Sequence, residues 1–95
     1  MSGQAQTYKR AVTVVNRKGL HARPSGMISR LACAHQAKIT VRHSGHSANA
    51  RSVMDLLLLI APIGSTLHIE GEGPDAEKAI DAIVELVASG FGEPS

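Results

Sequence analysis

The chain opens on an alternation. Tyr8, Arg10, Val12 and Val14 take turns with Lys9, Ala11, Thr13 and Val15, and this period of two predicts a strand over residues 8–15. Asn16-Arg17-Lys18-Gly19 then carries turn chemistry. Met27, Ile28, Leu31 and Ala32 recur at helical spacing and predict a helix from about Ala22 to Ala34. Pro24 fits there only in the first turn, where no intrahelical donor is needed. A second strand spans residues 38–43, with Ile39 and Val41 on one face. His43-Ser44-Gly45-His46 turns it into a short partner over residues 46–50, a hairpin. Arg51-Ser52 opens a second helix reaching about Ile60, which Pro62 and Gly64 close. Residues 66–70 form the last strand, with Leu67 and Ile69 facing in, and Gly71-Glu72-Gly73 is a turn. Pro74-Asp75-Ala76-Glu77 opens a final helix, acidic at its positive end. Its apolar face is Ala79, Ile80, Ile83, Val84 and Val87, and Gly90 ends it.

The resulting order is β-α-β-β-α-β-α. It predicts an α+β open-faced sandwich, a four-stranded, mostly antiparallel sheet with three helices on one face. Residues 1–6 read as a flexible tail and residues 7–91 as one domain. At 95 residues there is material for a single core. Hydrophobic residues at 43% and charged residues at 19% are a globular balance. Tyr8 and Phe91 are the only aromatics, which argues against a base-stacking nucleic-acid binder. A net charge of +2, without a run of Lys or Arg, gives no track for a phosphate backbone. The lone Cys33 cannot form an internal disulfide, so a reducing compartment is expected. No apolar stretch approaches the about 20 residues of a spanning helix, so a cytoplasmic monomer without membrane insertion is expected.

The chemistry concentrates in Gly19-Leu20-His21-Ala22-Arg23-Pro24. His21 falls at the cap of the first helix, with Ala22 and Arg23 in its first turn. First-turn amides lack intrahelical acceptors and point outward, and with the helix dipole they suit an anion. Arg23 adds a forked cation matched to phosphate. Gly19 lets the backbone approach closely. A neutral imidazole is a good nucleophile near neutral pH, and positive surroundings favour the neutral ring. On residue types alone, the string reads equally as a capping histidine beside a solvated arginine.

The complete string resembles the active-site motif of HPr, the histidine phosphocarrier family of the bacterial phosphoenolpyruvate-dependent phosphotransferase system. The resemblance runs over residues 8–89 and follows the family's element order. It implies that His21 accepts a phosphoryl group on Nδ1 from phosphorylated enzyme I and passes it to a histidine of an enzyme IIA domain. It implies that Arg23 contacts the phosphate, alongside the backbone of Ala22 and Arg23. Ser25 departs from the alanine common in the family and is expected to be neutral or to add a donor. Such a chain is a stoichiometric carrier rather than an enzyme, and needs no cofactor and no metal. It would serve sugar uptake or a nitrogen-related regulatory chain. The alternative within the same fold is a regulatory module that binds a partner according to phosphorylation at His21 or Ser52. A hydrolase using His21 as base lacks a convincing partner residue.

Ser52 is among the best N-cap residues. By resemblance it also matches the serine that a dedicated HPr kinase/phosphorylase modifies in many bacteria. Asp55, in the same first turn, would oppose a phosphate there. Of the apolar second helix, Leu56, Leu59 and Ile60 are expected in the core. By resemblance, Val53, Met54 and Leu57 dock partners beside the active centre. His43 and His46 make at best a weak metal pair. His35 is expected at the negative end of the first helix, and His68 at the surface. Cys33 is expected as a small core residue, and Glu70, Glu72 and Asp75 as solvated.

Overall fold

A computed structural model describes residues 7–93, so the expected tail over residues 1–6 lies outside the described residues. Strand β1 (Thr7–Thr13) leads into helix α1 (Ala22–Cys33). The hairpin β2 (Lys38–His43) and β3 (His46–Asn49) follows, then helix α2 (Val53–Leu58), strand β4 (Thr66–Glu72) and helix α3 (Ala76–Ala88). A 3₁₀ turn over Gly90–Gly92 comes after α3. The sheet runs β1-β4-β2-β3, and every neighbouring pair is antiparallel. The expected architecture and element order hold.

The period of two sorts the sheet faces. Val12, Leu67, Ile69, Ile39, Val41 and Ala48 point under the helices and are buried. Lys9, Ala11, His68, Arg42 and Thr66 lie on the open face and are exposed. From the helices, Ile28, Ala32, Leu56, Leu59, Ala79, Ile80, Ile83 and Val87 close the core. Arg10 leaves the covered side to pair with Glu77 and Asp81 of α3 at 3.3 Å and 3.4 Å. His35 Nδ1 donates to the Leu31 carbonyl at 2.8 Å, at the C-terminal end of α1. His68 is at the surface, as expected.

Four expectations need correction. Gly71 and Glu72 are not a turn but the end of β4, where Gly71 pairs with both Tyr8 and Ile39. A Cβ there would come within 2.7 Å of Ile39 Cδ1 and 2.9 Å of Ile80 Cδ1, so glycine lets α3 settle on the sheet. Cys33 is exposed. It follows buried Ala32, and one residue turns a helix by about 100°, enough to leave the stripe. Ile60 is 77% exposed. The helix ends at Leu58, and Ile60 takes φ +47°, so helical spacing from Leu56 no longer places its side chain. Two of the acidic residues are engaged rather than simply solvated. Asp75 accepts from the Gln36 amide at 3.0 Å. Glu70 accepts from Arg42 Nε at 2.9 Å, and that hydrogen bond holds its carboxyl below the usual range.

A tight reversal follows α3. Gly90, Phe91 and Gly92 all have positive φ (74°, 58° and 72°), and this run reverses the chain after α3. Left-handed backbone is easy for the glycines and unusual for Phe91. The Phe91 ring is 1% exposed and joins the core cluster, which offsets that strain. Phe91→Ala should therefore lose about 3–5 kcal/mol of stability, read by denaturant titration. A loss under about 1 kcal/mol would mean that the ring does not anchor the segment.

Candidate functional site

His21 is the N-cap of α1, with extended backbone at φ −92° and ψ −166°. Its carbonyl accepts from the Ser25 amide at 3.0 Å. Its side chain makes no capping hydrogen bond, so the capping alternative is not realised. The ring turns instead to the segment after α3. Nε2 lies 3.0 Å and 3.2 Å from the two carboxylate oxygens of Glu93. Arg23 Nη1 donates to the same carboxylate at 2.8 Å and to the Phe91 carbonyl at 3.3 Å. Asn16 Nδ2 donates to it at 3.0 Å and to the Gly19 carbonyl at 2.8 Å.

This network assigns the ring's proton. An ionised carboxylate only accepts, so Nε2 must carry hydrogen. The neutral ring then keeps its lone pair on Nδ1. Nδ1 makes no hydrogen bond to another described residue. The imidazole is 32% exposed while the Glu93 side chain is 14% exposed, so a second molecule can reach the ring but hardly the carboxylate. Burial pushes the Glu93 carboxyl up. The hydrogen bonds from His21, Asn16 and Arg23 outweigh that and hold it below the ordinary range. Arg23 is 55% exposed and uses only Nη1 in these contacts, which leaves the rest of its fork for an anion.

Local sequence explains the setting. The first-turn amides of Ala22 and Arg23 have no intrahelical acceptor, and Pro24 has no amide to satisfy. Gly19 does allow close approach, but to backbone of its own chain. At φ +68°, a Cβ there would lie 2.5 Å from the Ala61 oxygen and 2.9 Å from Pro62 Cα. Leu20 donates to that same Ala61 carbonyl at 2.9 Å, sewing the motif loop to the chain that follows α2. Ser25 is fully buried, and its hydroxyl has no hydrogen-bond partner among the described residues.

Ser52 caps α2 as expected, with Oγ accepting from the Asp55 amide at 3.1 Å. The Asp55 carboxylate accepts from the Asn49 amide at 3.2 Å. Met54 is 69% exposed, and Val53 and Leu57 are half-buried. Leu58, Ile60 and Ile63 are exposed as well, so more apolar surface is on offer than the three expected residues. His43 Nδ1 donates to the Leu59 carbonyl at 3.1 Å, and His46 is exposed. Among the described residues no three His, Cys, Asp or Glu side chains gather as a metal site, and no helix is long and apolar enough to cross a membrane.

Sequence reasoning missed Glu93 and Asn16. The available signal was Gly90-Phe91-Gly92, a lone aromatic between two glycines past a helix end. Such a segment folds back onto the body only to bury the ring.

Residues 8–89 match the family described as "PTS HPr component phosphorylation site". The phosphocarrier protein HPr of Cupriavidus necator is 39% identical over 85 residues, covering 90% of this chain and 96% of that one. The phosphocarrier protein NPr of Proteus mirabilis is 43% identical over 88 residues, covering 92% and 98%. The crystal structure of HPr-C-His from Thermoanaerobacter tengcongensis superposes with a TM-score of 0.88 at 33% identity, covering 93% and 99%.

The Glu93 contacts carry a pH signature. A carboxyl with a lowered folded-state pKa stabilises the fold above its unfolded pKa, about 4.3 for glutamate. That stability is lost as pH falls through the folded value. Glu93→Gln should therefore melt below the wild type at neutral pH, and the gap should close on acidification below about pH 4. A gap independent of pH would mean that the charge on Glu93 contributes nothing.

Proposed function

The chain belongs to the HPr family of the phosphotransferase system, and from that premise we propose that it carries phosphoryl groups on Nδ1 of His21. The observation that supports the reading is a partly exposed imidazole whose Nε2 is held by a carboxylate and whose Nδ1 has no hydrogen-bond partner among the described residues. The donor is phosphorylated enzyme I and the acceptor a histidine of an enzyme IIA domain. Arg23 steadies the phosphoryl oxygens, together with the backbone of Ala22 and Arg23 at the N-terminus of α1. The domain acts as a stoichiometric carrier: the group enters and leaves the same nitrogen. Relatives named HPr and NPr stand at similar identity, so the carrier chemistry common to both is the proposal. The branch, sugar uptake or a nitrogen-related chain, is set by which acceptor domain takes the group.

Transfer needs no general base on Nδ1. The lone pair attacks phosphorus, the donor's P–N bond breaks, and its electron pair returns to the donor imidazole. Catalysis is then positioning plus charge stabilisation. His21→Ala should fold as wild type and take no acid-labile phosphate from phosphoenolpyruvate, enzyme I and magnesium. Arg23→Lys keeps a charge but loses the planar fork, so it should not restore full transfer. Labelling of His21→Ala at wild-type extent would overturn the assignment.

The same reading makes Val53, Met54 and Leu57 a docking surface and Ser52 its regulatory position. A charge placed there meets an apolar interface whose desolvation it does not repay. At a helix N-terminus the same charge does not harm folding. Ser52→Asp should bind enzyme I more weakly at an unchanged melting temperature. Equal affinities by titration would remove this face from the interface.

A further inference from the structure

The carboxylate of Glu93 lies far from the motif in sequence, yet it reaches both His21 and Arg23. It contacts the nitrogen opposite the acceptor, at 3.0 Å and 3.2 Å. It is also the best-supported group in the site. Arg23 and Asn16 hold it from two further directions, and the turn that delivers it is closed by the Glu93 amide donating to the Gly90 carbonyl at 2.9 Å. An acceptor fixed this firmly imposes its demand on the ring rather than adjusting to it.

The demand matters most after transfer. When Nδ1 takes phosphorus and Nε2 keeps its hydrogen, the ring becomes a phosphoimidazolium cation. No proton moves in that step, since the donor ring loses as much positive charge as the acceptor gains. A carboxylate at Nε2–H stabilises the cation. The protonation state then decides how the group leaves. From the cation, the P–N bond breaks with its electron pair returning to Nδ1, and a neutral imidazole departs. If Nε2 has lost its proton, the same cleavage must expel an imidazolate anion, a far poorer leaving group.

We infer that Glu93 is a positioning residue for onward transfer: by holding Nε2–H it keeps the phosphorylated His21 ring cationic and its phosphoryl group ready to leave. This inference rests on the carrier reading. Arg23 is the charged side chain that contacts the carboxylate besides His21, and it answers from α1. Asn16, on the loop before α1, is neutral.

The test uses the full chain with 15N-labelled histidine, as wild type, Glu93→Ala and Glu93→Gln, each phosphorylated with phosphoramidate. That small donor needs no protein docking, and ammonia leaves as Nδ1 takes the group. Two quantities are read: the His21 Nε2–H resonance before and after phosphorylation, and the rate of phosphoryl loss to water from mildly acidic to mildly alkaline pH. The wild type should keep Nε2–H into the alkaline range. Glu93→Ala should lose it earlier and release phosphate about tenfold more slowly there, the size of one charge-assisted hydrogen bond. The two rates should converge at acidic pH, where both rings are protonated, and Glu93→Gln should fall between. Coincident pH profiles and Nε2–H shifts would overturn the inference, as would a loss of rate equal at every pH, which marks a structural role only. Wild type that phosphoramidate labels but phosphorylated enzyme I does not would defeat the carrier reading, while the Nε2–H resonances would still decide the role of Glu93.

Discussion

Three side chains from the loop before α1, its N-cap and its first turn converge on one carboxylate, and much of this structure exists to bring that carboxylate to them. Glu93 is almost buried, and a lone buried charge would be costly. Its charge is tolerable because Arg23, Asn16 and His21 all reach it. Those donors are held in turn by other constraints. Asn16 is fully buried and clamped to the Gly19 carbonyl, and Gly19 is pressed on the Ala61–Pro62 backbone. Phe91 locks the turn that presents Glu93. The site is therefore a tertiary object, although His21 and Arg23 lie in one hexapeptide.

That fact explains what could and could not be read from the sequence. The fold was legible because every element buries one face, and burial writes a period of two or 3.6 into the chain. Boundaries slipped where tertiary contact overrode local chemistry. Gly71 looks like a turn residue and is a strand residue, because Ile80 needs the room that a side chain would take. Ile60 looks like a core residue by spacing and is exposed, because the helix stops before it. Within the site, His21 and Arg23 were legible from one hexapeptide. Their carboxylate partner was not, since no periodicity links positions 21 and 93. Only the buried ring of Phe91 connects them, and a single aromatic is a faint mark.

That carboxylate changes the electrostatics of the site. A site built of Arg23, helix amides and a histidine has only positive character and would favour an anion at all times. With Glu93 in place the same group of residues is nearly balanced before any phosphoryl group arrives. A balanced site binds free phosphate less avidly than a purely cationic one, because an incoming anion must share Arg23 with the carboxylate. On the carrier reading this is an advantage, since a carrier that trapped inorganic phosphate would block its own nitrogen.

Met54, Leu58, Ile60 and Ile63 leave considerable apolar area in water, on and just after a helix of only six residues. The Ala61 carbonyl in the same segment receives the Leu20 amide, one residue before His21. Apolar surface and nucleophile are thus mechanically joined through a backbone hydrogen bond and a glycine contact rather than through side-chain packing. On the carrier reading, a partner that covers the apolar residues finds the acceptor nitrogen in a fixed relation to its own surface, whichever partner it is. On the carrier reading, several docking proteins can then share one reactive atom with no change in the carrier, because Glu93 and the motif loop fix that atom independently of the apolar residues.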